Sequence, residues 1–328
     1  MEDIRIGLIG AGWVAREHLK VIKDIDSLEA VGITSRTLSK AEDVAREYNI
    51  AVCADSVDAL IEETLPDALM VLVSEDQVAG VAEAVIPCGL PLFIEKPAGL
   101  TPADNLRLAE LAREYKTPTM VGFNRRYYSI FHKGLEVIRA HGPLLGLVVE
   151  GHERMWRIRE GKKFSEDTIR EWIFANSTHT IDLLRFFGGE PQRLSSIAHR
   201  YKEPRGDQFA AIMEFESGAI GQYNAHWYSP GGWRVVLYGD GVTVEFKPLE
   251  NGRWTDKNFK TDDIQPDEVD VKYKPGFFRQ MEAFGKLART RTLERPALDC
   301  QGAYQTMRLA QQIARDCSST SGCFLPSP

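Results

Sequence analysis

The chain has 328 residues, 43% of them hydrophobic and 27% charged, with a formal net charge of −7. That balance belongs to an ordinary globular protein long enough for two domains, and the negative charge argues against a nucleic-acid surface, which needs a basic footprint. No apolar run approaches the ~20 residues of a membrane-spanning helix. The acidic start Met1-Glu2-Asp3 lacks the basic region of a signal peptide, so a cytoplasmic protein is expected. The five cysteines, Cys53, Cys88, Cys300, Cys317 and Cys323, are scattered without Cys-x-x-Cys spacing and read as free thiols. No His/Cys/Asp cluster has metal-ligand spacing, and no metal is assigned.

An apolar strand, Ile4 to Ile9, runs into Gly10-Ala11-Gly12-Trp13-Val14-Ala15, then a helical stretch and a second apolar run, Leu28 to Ile33. This strand–turn–helix–strand order fits the dinucleotide-binding pattern in its Ala-ending form. Gly10 permits the tight turn, Gly12 lets a pyrophosphate approach the backbone, and Ala15 allows close packing of helix on strand. The helix entered through Trp13 and Val14 offers unpaired N–H groups to the phosphates. At the end of the second strand an acid usually holds the ribose 2′-hydroxyl of NAD. Here the chain reads Thr34-Ser35-Arg36-Thr37, with Lys40 behind and no acid before Glu42. Ser35 and Arg36 suit a 2′-phosphate, so NADP is expected as the preferred cofactor over NAD.

The alternation continues with helices over Ser39–Tyr48 (Ser39 as N-cap), Ser56–Glu63, Gln77–Ile86 and Thr101–Tyr115, and strands over Ala51–Cys53, Ala68–Val73, Pro91–Ile94 and Thr119–Phe123. The uniformly apolar Ala68–Val73 suits a parallel strand buried on both faces. Together these predict a doubly wound parallel sheet of the Rossmann type over residues 1–123. Residues 124–328 then form an α+β domain. A helix over Tyr128–Ala140 leads to a long strand, Leu144–Trp156, and a helix over Ser177–Phe187 ends at Gly188-Gly189. Strands over Arg193–His199, Gln208–Glu216, Ala219–Trp227, Trp233–Leu237 and Val242–Phe246 make an open, mostly antiparallel sheet. Arg253–Lys274 reads as a loop, Phe277–Ala288 and Gln301–Ala314 as helices, and Ser318–Pro328 as a loose tail.

Glu95-Lys96-Pro97 follows the fifth strand, where ligands of an open parallel sheet lie. With the glycine turn and His179-x-x-Asp182-Leu183-Leu184, it resembles the glucose–fructose oxidoreductase / inositol dehydrogenase / rhizopine-catabolism family, Gfo/Idh/MocA, over nearly the whole chain. The resemblance implies NAD or NADP in the first domain and hydride transfer at a hydroxyl or keto carbon of a sugar, cyclitol or nucleotide sugar. It makes Lys96 a hydrogen-bond partner of the reacting hydroxyl and the nicotinamide ribose, which puts Glu95 and Lys96 with the cofactor site. It makes His179 the acid/base, the Lys-Pro peptide often cis, and the second-domain sheet the face of a homo-dimer or tetramer. The residue types suit the chemistry. Histidine titrates near 6.5, and a lysine, ordinarily about 10.4, serves either with a depressed pKa or as a charged donor.

One departure stands out. Many members of the family carry an aspartate four residues before the histidine, where this chain has Ala175. Asn176 and Asp182 lie on the same helical face as His179 and are the nearest candidates to contact a substrate or orient the ring. On the substrate side, Arg125 suits a carboxylate or phosphate. Strand alternation through Leu147–Trp156 puts His152, Arg154 and Trp156 on one face, Trp156 offering a platform for a sugar ring. Two further readings fit the family fold: a glycosidase that keeps its nicotinamide tightly bound, and a non-enzymatic nucleotide-sensing regulator.

Overall fold

The computed structural model describes residues 3–315. Met1-Glu2, Cys317, Cys323 and the tail expected over Ser318–Pro328 lie outside the described residues. Two compact units form, one from residues 3–133 with 265–307, the other from 134–264 with the described residues after 307. They differ from the sequence-based division at 123/124, chiefly because 265–307 returns to the first unit.

The first unit begins with β1 (Ile4–Ile9), α1 (Trp13–Ile22), β2 (Leu28–Thr34), α2 (Leu38–Tyr48), β3 (Val52–Ala54), α3 (Val57–Thr64), β4 (Ala68–Val71), α4 (Val78–Val85), β5 (Leu92–Ile94), α5 (Pro102–Glu114) and β6 (Thr119–Val121). The sheet order is β3-β2-β1-β4-β5-β6, every pair parallel. The order reverses between β1 and β4, the switch point at which such sheets open a crevice. β4 is buried at every position, as its unbroken apolar run requires between two helical layers. Thr101 closes a reciprocal capping box with Asp104 ahead of Pro102, fixing the start of α5. Thr37, not Ser39, precedes α2, and no side chain caps it.

α6 (Ser129–His141) is followed by β7 (Leu144–Gly151), α7 (Met155–Gly161), α8 (Glu166–Arg170), α9 (Trp172–Ala175) and α10 (Thr178–Gly188). Next come β8 (Pro191–His199), β9 (Gln208–Phe215), β10 (Ile220–His226), β11 (Trp233–Gly239), β12 (Val242–Phe246), β13 (Gly252–Asp256) and β14 (Thr261–Ile264). They build an eight-stranded sheet, β14-β13-β12-β11-β7-β10-β9-β8, antiparallel except for β7 with β10. Strict alternation in β9 and β10 buries Phe209, Met213, Phe215 and Tyr223 on one face and leaves the other open.

Two expectations fail here. β7 ends at Gly151, where its pairing with Trp233 of β11 stops, and Trp156 lies on helix α7. Without a neighbouring strand beyond Gly151 the backbone satisfies itself by turning helical. The segment 253–274 is not a loop: it holds β13, β14 and then α11 (Glu268–Lys272). β14 is the edge strand and mostly exposed, so it carries Asp and Thr where an internal strand carries apolar residues. The Asp256 carboxylate accepts from the N–H groups of Asn258 and Lys260 and shapes the β13–β14 turn.

The chain closes with α12 (Phe277–Thr290) and α13 (Cys300–Ile313). The buried face of α12, Phe277, Met281, Phe284 and Leu287, packs in the core of the first unit with Ile6, Leu8 and Phe93. The free edge of β6 is met by the return segment: Val121 N–H donates to the Leu298 carbonyl at 2.7 Å. Phe284→Ala is therefore expected to cost ~3–5 kcal/mol of unfolding free energy in denaturant titration, the range for a buried aromatic cut to a methyl.

Candidate active site

The turn after β1 shows why two glycines are needed for different reasons. Gly10 has φ +120°, and a Cβ there would stand 2.3 Å from the Leu72 carbonyl oxygen, so no side chain fits. Gly12 has an ordinary φ of −79° and nothing within 4 Å of its Cβ position; the space is open to a ligand. Gly12 also caps α1 without a side-chain bond, leaving the first N–H groups of the helix to an anion. A groove of about 680 Å³ runs past this turn and is lined by Gly10, Gly12, Trp13, Ser35, Arg36 and Lys40 among others. Val14 and Ala15, expected with the cofactor site, are not part of its lining; both pack into the core and support the turn from behind. Asp43 and Asp55 also line the groove, and Arg46 lies 3.3 Å from Asp43. The residues fit a dinucleotide.

At the end of β5 the Lys96–Pro97 peptide is cis. Glu95 is buried and faces inward: one oxygen stands 2.9 Å from His18 Nε2, and the other accepts the Lys96 backbone N–H at 2.9 Å. His18 is wholly buried on α1, stacked on Phe277 with ring centroids 4.6 Å apart. Burial raises the Glu95 pKa, but the hydrogen bond and charge of His18, with Lys96 and Lys274, outweigh it and hold the carboxyl below its usual range. His18 had no motif to mark it; its signal was a histidine on the apolar face of an otherwise regular helix. Burial, with the Arg125 and Lys274 charges, pushes Lys96 down to about 8 against the opposing pull of Glu75 and Glu95. Arg125, read from the sequence as a substrate-side residue, thus belongs to the surroundings of Lys96. Lys274, which the sequence reading missed, lies over the rings of Trp13 and Phe277, each 4.6 Å from its ammonium.

The second unit gathers another set. His179 enters on the first turn of α10, is 7% exposed, and its ring lies 5.9 Å from that of Trp233. Asn176 donates through Nδ2 to Glu153 Oε1 at 2.9 Å, so a buried carboxylate reaches this helix start from the segment after β7 although position 175 is alanine. Glu153 was not among the sequence candidates; its neighbours in a supposed strand had drawn attention to the opposite face. Asp182 is 1% exposed and 3.8 Å from Arg185 of its own helix. A cavity of about 590 Å³ is lined by His152, Glu153, Arg154, Arg157, Phe164 and Trp233 with further residues of this unit. None of Trp156, Asn176, His179 and Asp182 is among its lining: Asn176 and His179 reach it only through their neighbours Glu153 and Trp233, and the helical turn at Met155 carries Trp156 away from the face it would have shared with His152 and Arg154. Among the described residues no group of His, Cys, Asp and Glu is placed to hold a metal, and no helix is long and apolar enough to cross a membrane.

The family model of an oxidoreductase family with an NAD-binding Rossmann fold, Gfo/Idh/MocA, matches residues 4–123, and the Gfo/Idh/MocA C-terminal domain matches residues 148–245. The chain belongs to the Gfo/Idh/MocA family. It is an NAD(P)-dependent oxidoreductase of that family. An inositol 2-dehydrogenase of Corynebacterium glutamicum is 21% identical over 297 residues, covering 86% of this chain and 85% of the relative. In solved structures the fold recurs in a dehydrogenase from Chromobacterium violaceum (TM-score 0.82, 21% identity, 97% of this chain and 96% of that one). It recurs also in a UDP-N-acetylglucosamine 3-dehydrogenase from Acidithiobacillus ferrooxidans (TM-score 0.76, 18% identity, 97% and 98%).

The two glycines separate folding from binding. Gly10→Ala is expected to lower the melting temperature, since it adds both a strained φ and a backbone clash. Gly12→Ala should leave the melting temperature within a degree or two yet weaken dinucleotide binding about tenfold or more in a fluorescence titration, because only the ligand meets the new methyl.

Proposed function

We propose that the protein transfers hydride between NADP, in preference to NAD, and a hydroxyl or keto carbon of a sugar, cyclitol or nucleotide sugar. The observation that carries the reading is Lys96: a half-buried lysine beside a carboxylate locked by His18, at the strand end where ligands of such sheets lie. The bound nicotinamide supplies the hydride acceptor or donor. Gly12 and the helix start hold the pyrophosphate, while Ser35 and Arg36, with Lys40 nearby, hold a 2′-phosphate. Lys96 donates a hydrogen bond to the reacting oxygen and stabilises the charge it develops. His179 takes the hydroxyl proton in oxidation and returns it in reduction. Asn176 and Arg125 bind substrate polar groups. Asp182, 3.8 Å from Arg185 of its own helix, stands on the same helical face as His179 and orients its other ring nitrogen.

A homo-dimer or tetramer through the second-unit sheet completes the proposal. Its support is the open face of that sheet, where Ile197, Ile212 and Ile220 are 61%, 52% and 52% exposed on adjacent strands. A cytoplasmic place is supported by free Cys53, Cys88 and Cys300.

Arg36→Ala is expected to weaken NADPH binding about tenfold and NADH binding less than twofold, as loss of a charge-assisted contact to a group only one of them carries; tighter binding of NADH than NADPH by the unaltered protein would sink the preference. Lys96→Met should lower kcat on any sugar-like substrate by about 10²-fold or more, within the range for a lost donor at a developing charge. The pH dependence has a definite sign. Lys96 is a charged donor below about 8, so carbonyl reduction should decline as pH rises through that value, and Lys96→Met should remove that limb from the kcat profile.

A further inference from the structure

The cavity of the second unit carries more positive charge than hydroxyl binding asks for. In a chain of net charge −7, three cations, Arg154, Arg157 and Lys163, line it against two acids, Glu153 and Glu250. His152 adds no fourth cation at neutral pH, because burial pushes it below its usual range. Glu153 accepts from Asn176, and Arg154 is anchored by donating through Nε to the Gly231 carbonyl at 3.2 Å. Arg157 and Lys163 differ from both: their side chains make no hydrogen bond or ion pair among the described residues.

Elsewhere this unit pairs its arginines. Arg159 meets Glu203 at 2.5 Å, Arg185 meets Glu190 at 2.5 Å, Arg205 meets Glu171 at 2.8 Å and Arg234 meets Glu245 at 2.5 Å. Carboxylates are therefore abundant in this unit, yet Arg157 and Lys163 stand on the wall of one cavity without one. The same cavity is lined by Phe164, held edge-on against Trp172 with centroids 5.0 Å apart, and Trp233 joins it to the His179 ring. A fixed aromatic platform suits the C–H face of a sugar ring, and unpaired cations at its rim suit an anionic substituent.

We propose that the substrate is an anionic sugar derivative, bearing a carboxylate or a phosphate, whose charge is recognised by Arg157 and Lys163. The inference rests on the reading of the second unit as the substrate side. Neither cation is needed for hydride transfer; both set which substrate is accepted. A fork-shaped guanidinium and a mobile ammonium together accommodate a planar carboxylate or a tetrahedral phosphate.

The test is calorimetric binding to the NADP-loaded protein of four matched compounds: a neutral hexose, inositol, a hexuronate and a hexose phosphate. At least tenfold tighter binding of the hexuronate or the hexose phosphate than of the neutral pair is expected, and whichever anion binds tighter identifies the source of the charge. Arg157→Gln combined with Lys163→Gln should bring that preference below twofold and raise KM more than it lowers kcat. Both side chains are exposed, so the variant should fold. Lys257→Gln with Lys260→Gln, the same charge change on the β13–β14 turn, should leave the preference intact. Equal binding of neutral and anionic compounds, no binding of either anion, or a preference that survives the Arg157/Lys163 change would overturn the proposal. Binding is read without turnover, so the two readings fail separately. Turnover of a neutral polyol with no anion preference removes this inference and keeps the oxidoreductase reading of the site. Anion-selective binding without turnover on any compound does the reverse.

Discussion

The buried pair of His18 and Glu95 is the contact on which the first unit's chemistry depends. A carboxylate taken out of water is costly unless it is both paired and hydrogen-bonded. Here one oxygen faces His18 and the other accepts the Lys96 N–H, so satisfying the charge also fixes the backbone of the lysine that follows. The histidine comes from α1, the helix whose start meets the dinucleotide groove, and it is stacked on Phe277 from α12. One interaction thereby couples the phosphate-binding helix, the end of β5 and the returning helix. The space is tight: a Cβ on Gly122, next to β6, would stand 3.0 Å from the Glu95 carboxylate.

Much of this unit was legible in the sequence because its signals are local. Gly10, Gly12 and Ala15 mark a turn whose sterics are set within a few residues, and the apolar runs of β1, β2 and β4 have the length and uniformity that burial on two faces demands. Glu95-Lys96-Pro97 was legible as a motif, but the reason for its glutamate was not. His18 lies 77 positions away, and no periodicity links the two. Lys274 escaped for the same reason, being brought to Trp13 and Phe277 only by the return of the chain.

The second unit was legible as a sheet and misread at its edges. The alternation of β9 and β10 reports one buried face, whereas the edge strand β14 buries little and reads as polar loop. The end of β7 was missed because alternation through His152, Arg154 and Trp156 is only a pattern of residue types; whether it becomes a strand depends on a neighbour to pair with, and β11 supplies none beyond Trp233. That error matters for the site. With the strand stopped at Gly151, Glu153 turns inward to Asn176, and the segment after it becomes a wall of the cavity.

The return of residues 265–307 to the first unit has a consequence for how the protein is made. Strands β1 to β6 are complete after the first 121 residues, yet Phe277, Met281, Phe284 and Leu287, which cover Ile6, Leu8 and Phe93, are translated some 150 residues later. During synthesis at ~5–20 residues per second, that apolar face waits on the order of ten seconds or more for its cover. The nascent nucleotide-binding unit is thus an incomplete body until nearly the whole chain has left the ribosome, and the intervening unit, whose sheet is contiguous in sequence from β7 to β14, is free to close first.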